Sequence, residues 1–208
     1  MRLYSMPSSG NSYKIRLLLS LTGKRVEVID CENGSDALAR VKAEGALPFG
    51  KVPVLELDDG RKLAESGAIL WYLGEGTDFV PPDPVLRAQM LGWMFWEQYN
   101  HEPVIAVRQS LLNYPNRAAE ATPERLADLL LRGHALLQVM EDWLAGNDWL
   151  AGGPSLADLC LYAYTHQAGT RGGFEMERFP AIGSWLRRIE ALSGYCALRT
   201  DDADAASS

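Results

Sequence analysis

The sequence predicts an α/β N-terminal domain followed by an all-α C-terminal domain. Three observations carry that reading. Short strand-like runs alternate with helical patterns only in the first third of the chain. Asp58-Asp59-Gly60 sits between two such runs as a hairpin signal. Beyond the prolines Pro81, Pro82 and Pro84 every periodic segment has the helical repeat.

The elements follow in order. Arg2–Ser5 is a first strand, and residues 13–21 a first helix. Residues 25–29 give a second strand and residues 35–43 a second helix. Residues 54–57 and 61–64 flank the hairpin, and residues 67–73 form a third helix. The order β-α-β-α-β-β-α implies a mixed four-stranded sheet with helices on both faces. Asp83 then caps a long amphipathic helix over residues 84–112, with Pro84 at its first position and a kink expected at Pro103. Thr122-Pro123-Glu124 starts a helix running to Leu144; further helices begin at Ser155 and near Pro180. The expected division is residues 1–76, a linker at 77–83, a helical domain at 84–200 and a small, acidic, disordered tail at 201–208.

Bulk properties exclude several classes. The 208 residues suit one large domain or two small ones, and 47% hydrophobic content is enough for a core. A net charge of −7 argues against a nucleic-acid partner. No apolar run reaches membrane-spanning length, and no signal-peptide pattern opens the chain. Cys31, Cys160 and Cys196 are odd in number, widely spaced and without a CxxC, which fits a reduced cytoplasmic protein with neither a disulfide framework nor a metal site.

Three short stretches offer chemistry. Ser8-Ser9-Gly10-Asn11 lies between the first strand and first helix, where helix N–H groups and hydroxyls converge. Capping needs one polar residue there, not four, and a hydroxyl so placed can donate to a thiolate and lower its pKa. Pro53 immediately precedes a strand; it is either a plain strand-initiating proline or a cis turn that presents the backbone of Val52 to an extended peptide. Glu65-Ser66 precedes the third helix, with Ser66 as expected N-cap. A helix start beside an acid suits a ligand end carrying a carboxylate and an ammonium, though a plain cap with a solvated glutamate explains it equally.

In this order and spacing the stretches resemble the glutathione transferase superfamily over about residues 1–198. Residues 49–54 look like its cis-proline loop, Glu65-Ser66 like its γ-glutamyl site, and Ser155-Leu156-Ala157-Asp158 like the capping box of its C-terminal domain. The resemblance implies a thioredoxin-like N-terminal domain, glutathione as co-substrate with no metal, and a homodimer. It implies glutathione contacts from Lys51, Val52, Pro53, Glu65 and Ser66, although some members carry Gln where Lys51 stands. In serine- and cysteine-type members the catalytic residue stands five positions before a basic residue of the first helix; counting back from Lys14 gives Ser9. Asn11 is the second candidate, ahead of Ser8 and Ser12, and Tyr4 ranks below because it falls within the strand. A pKa lowered by about 2 units corresponds to roughly 2.7 kcal/mol, and one charge-assisted hydrogen bond supplies about 1.5–3 kcal/mol.

The second substrate is expected between the domains, near the aromatic stretch from Trp93 to Pro103. Tyr99 and Arg108 are its candidates, with Phe174 and the nearby glycines as a loop over the same cleft, and His101 as structural. The expected activity is conjugation of glutathione to a hydrophobic electrophile. Two alternatives stand beside it: a disulfide or peroxide reductase using two glutathiones without a protein cysteine, and a non-enzymatic glutathione-binding or stress-adaptor protein. With no cysteine in the loop, mixed-disulfide chemistry on the protein is disfavoured.

Overall fold

A computed structural model describes residues 1–199. The chain divides into two compact units, one comprising Met1–Thr77 with the segment from Leu192 onward, the other Asp78–Ala191. The segment 192–199, expected with the helices, therefore groups with the first unit. The tail 201–208 lies outside the described residues.

In the first unit the strands are β1 (Arg2–Ser5), β2 (Glu27–Asp30), β3 (Val54–Glu56) and β4 (Lys62–Ala64). Among the described residues they form one sheet in the order β2-β1-β3-β4, with β1 parallel to β2 and antiparallel to β3. The helices are α1 (Gly10–Thr22), α2 (Asp36–Ala43) and α3 (Ser66–Gly74). The β-α-β-α-β-β-α order is as the sequence implies. Alternation along the strands separates two faces. Tyr4 and Val54 pack with Leu38 and Val41 of α2, while the intervening Leu3 and Leu55 point to the opposite face, on the side of α1 and α3. The outer strand β2 keeps Glu27, Val28 and Asp30 exposed, which suits an edge.

The segment after Leu192 is tied to α1 by long-range bonds. Ser20 Oγ donates to the Gly194 carbonyl at 2.6 Å and the Tyr13 hydroxyl to the Cys196 carbonyl at 2.7 Å. Arg199 pairs with Asp30 at 3.1 Å. Gly194 has φ of 87°, and a Cβ there would come within 2.8 Å of the Ser20 carbonyl oxygen, so glycine is required by both conformation and approach.

The second unit begins with α4 (Pro84–Trp96), whose cap Asp83 accepts from the N–H groups of Val85 and Leu86, each at 2.9 Å. The expected helix over residues 84–112 is not broken at Pro103. It continues as a π-helical run, Glu97–Ala106, into α5 (Val107–Asn113). A proline cannot donate to an i−4 carbonyl and clashes with it, and the wider π turn removes that demand. Next come α6 (Pro123–Leu144), capped by Thr122, then α7 (Leu156–Thr165), α8 (Ala168–Gly172) and α9 (Pro180–Glu190). The short α8 was not legible in the sequence.

Asp158 organises this unit. It is buried and accepts from the Leu150 N–H, the Ser155 N–H and hydroxyl, and the Trp185 indole N–H, between 2.6 and 3.1 Å. Burial nevertheless outweighs these donors and pushes its carboxyl up to about 6. Phe174, expected in a loop over the second-substrate cleft, is buried: a Cβ on Gly133 would come within 2.2 Å of its ring.

Candidate functional site

Strand register brings three loops to one end of the sheet. Tyr4 is paired with Val54, and Val54 with Ala64. The residues just beyond these pairs are therefore the β1–α1 loop, Pro53, and Glu65-Ser66. The Val52–Pro53 peptide is cis. Lys51 is exposed, Val52 half-buried and Pro53 buried.

The polar residues of the β1–α1 segment take different roles. Ser9 is the N-cap of α1, its hydroxyl oxygen accepting from the Ser12 N–H at 3.4 Å. Accepting leaves the hydroxyl proton able to donate elsewhere. Ser9 is half-buried and stands at the positive end of the helix dipole. Ser12 is buried and spends its oxygen on the Met6 N–H at 3.0 Å. Ser8 is held by Glu32, to which its N–H and hydroxyl donate at 3.0 and 2.7 Å. The loop backbone is closed by the Ser9 N–H donating to the Met6 carbonyl at 3.1 Å. From α1, Arg16 donates to the Ser5 hydroxyl at 3.1 Å and to the Met6 and Pro7 carbonyls.

Asn11 joins the loop to α3. Its Oδ1 accepts from the Lys14 ammonium at 2.8 Å and from the Ser66 hydroxyl at 3.2 Å. An ammonium has no acceptor, so the atom facing it is the oxygen, and the amide NH2 is turned to the other side. Lys14 is fully buried and needs such partners.

Ser66 is not the expected N-cap. It is the first residue of α3, and the cap position is Glu65, which makes no capping bond through its side chain. The chain enters the helix too sharply for a β-region cap: Glu65 has φ of 71°, the sole positive φ outside glycine among the described residues. Such backbone conformations cost about 1–3 kcal/mol and cluster at ligand sites. The Glu65 side chain is exposed, whereas Ser66 is buried with its hydroxyl on Asn11.

Tyr4, weighed as a rival to Ser9, donates its phenol to Glu56 at 3.0 Å, and burial raises its pKa. In the second unit, Tyr99 is 83% exposed. Arg108 donates to the carbonyls of Gly172 and Leu126 and lies over the Phe174 ring at 5.8 Å. His101 is buried against the Thr165 hydroxyl at 3.1 Å. Sequence reasoning missed Glu32 and Arg16; no local pattern marks either as a partner of the loop.

A small mixed sheet with this loop, a cis-proline and a helix start at one end is thus followed along the chain by an all-helical unit. The glutathione S-transferase N-terminal domain model matches residues 3–78 and the C-terminal domain model residues 105–193. A glutathione S-transferase structure from Xanthobacter autotrophicus Py2 is 42% identical, with a TM-score of 0.87 and 98% of each chain covered. One from Pseudomonas fluorescens is 40% identical, with a TM-score of 0.88, covering 96% of this chain and 98% of that one. Glutathione S-transferase 3 of Zea mays is 30% identical over 94% of this chain and 91% of its own. The chain belongs to the glutathione S-transferase family, and glutathione is the co-substrate that goes with it. Among the described residues no cluster of His, Cys, Asp and Glu could hold a metal ion, and no helix is long and apolar enough to cross a membrane.

Proposed function

We propose that the protein binds glutathione at this end of the first unit and holds its sulfur as thiolate for attack on a hydrophobic electrophile. The observation that carries the reading is the sorting of the loop: Ser8 gives its hydroxyl proton to Glu32 and Ser12 is fully buried beneath Met6, while Ser9, half-buried, caps α1 with a hydroxyl proton available at the positive helix end. Ser9 donates to the sulfur and Asn11, oriented by Lys14 and Ser66, supports it. The strained Glu65 and the first N–H groups of α3 suit the α-amino and α-carboxylate groups of the γ-glutamyl end. Lys51, Val52 and Pro53 suit the rest of the peptide. Ser9 acts as a hydrogen-bond donor and never as a nucleophile. Tyr99 offers exposed aromatic surface for the electrophile, whereas Arg108 is occupied in tying α5 to α6 and α8. The working form is a cytoplasmic homodimer.

The test is an ultraviolet difference titration of bound glutathione in the wild type and in Ser9→Ala. The expected result is a thiol pKa about 2 units below free glutathione, most of it lost in the variant. A lowered pKa that survives Ser9→Ala transfers the role to Asn11 or the helix end, and turnover of a disulfide substrate then favours the two-glutathione reductase. No glutathione binding at all leaves a non-enzymatic adaptor.

A further inference from the structure

The loop that carries Ser9 is gripped by a carboxylate. Glu32 lies just past the last β1–β2 pair, Ser5 with Asp30, and its neighbour Cys31 donates its N–H to the Ser5 carbonyl at 2.7 Å. The sheet thus fixes where Glu32 starts. Its two oxygens take the Ser8 N–H at 3.0 Å and the Ser8 hydroxyl at 2.7 Å, and one of them also takes the Asn33 N–H at 2.9 Å. Bonds of this kind to a charged acceptor are the strong ones.

A negative charge is a poor neighbour for a loop that must favour a thiolate, because like charge raises a thiol pKa. Its benefit must be geometric. A serine has one hydroxyl proton, and Ser8 donates its proton to Glu32. Arg16 holds the same loop from the α1 side through the Met6 and Pro7 carbonyls. We propose that Glu32 is a positioning residue for the thiolate site: it withdraws Ser8 from the sulfur and fixes the turn so that Ser9 is the hydroxyl presented. The inference rests on the Ser9 reading given above.

The two roles a carboxylate could have here predict opposite signs. If Glu32 positions the loop, Glu32→Ala raises the bound thiol pKa by about 1 unit and lowers kcat about tenfold, with KM for glutathione within about threefold. A bystander charge gives a fall in the thiol pKa when removed. Glu32→Gln keeps an acceptor for the Ser8 N–H and is expected midway; it also carries the test if circular dichroism shows Glu32→Ala unfolded. Ser8→Ala is expected to leave the thiol pKa within about 0.3 units of wild type, since Ser8 makes no bond to sulfur in this scheme. An unchanged or lowered pKa in both Glu32 variants overturns the proposal, as does a rise in Ser8→Ala equal to that in Ser9→Ala. If wild type and Ser9→Ala behave as expected while the Glu32 variants do not, the positioning role alone fails. A wild-type thiol pKa equal to that of free glutathione removes both.

Discussion

Asn11→Ala tests the junction between the β1–α1 loop and α3. The substitution removes the oxygen that accepts from buried Lys14 at 2.8 Å and from Ser66 at 3.2 Å. A hydrogen bond to a charged group contributes about 1.5–3 kcal/mol and a neutral one about 0.5–1.5 kcal/mol. The summed loss is about 3 kcal/mol, most of it from the ammonium, which has no exposed surface through which water could replace the lost partner. The two-unit chain makes global unfolding ambiguous, so native-state hydrogen exchange of the α1 amides is the assay. Protection there is expected to fall by that amount. Lys14→Met removes the charge, and in that background Asn11→Ala is expected to cost only about 1 kcal/mol, a coupling of about 2 kcal/mol. A cost below about 0.5 kcal/mol, or strictly additive costs in the double variant, refutes the argument that Asn11 is held by the buried cation.

Two further outcomes follow from strain and burial. Glu65→Gly relieves a positive φ that glycine adopts freely, so the first unit is expected to gain about 1 kcal/mol while glutathione affinity falls; a loss of protection in the hydrogen exchange of that unit's amides contradicts the strain. Burial holds the Asp158 proton up to about pH 6 in the fold, whereas the unfolded chain releases it near the ordinary aspartate value of 3.8. The folded state therefore binds the extra proton between those values, and about 3 kcal/mol of stability is lost as pH rises from about 4 to about 6, with no further change from this group above that. Asp158→Asn removes that slope; a wild-type minus variant difference that is flat with pH refutes the shift.

Several helix starts were legible, although α1 begins at Gly10 and not at residue 13. Asp83, Thr122 and the Ser155–Asp158 pair all cap as their sequence signals indicate, because a cap bond spans two or three residues and is encoded where it acts. The exceptions are instructive. At α3 the signal of a serine before an apolar run selected Ser66, but the turn from β4 is so tight that Glu65 takes the cap position at positive φ. At Pro103, where the sequence predicts a kink, the chain keeps its helical course by widening the turn.

By itself the sequence determined what spacing and short-range chemistry encode: the β-α-β-α-β-β-α order, the helical second half, the hydroxyl-rich loop, and the pairing of Pro53 with Glu65-Ser66 that points to the glutathione S-transferase family. The division of labour within the loop was decided only by the tertiary structure. The family resemblance ranks Ser9 ahead of Asn11 and Ser8, but the residues themselves show no reason for that order. Glu32 reaches Ser8 across 24 positions and Ser66 reaches Asn11 across 55, and both meetings are fixed by strand register. Hydrogen bonds between such distant residues leave no periodicity in the chain, so which hydroxyl of the loop keeps a proton to donate becomes visible only when the sheet has brought its neighbours to their own partners.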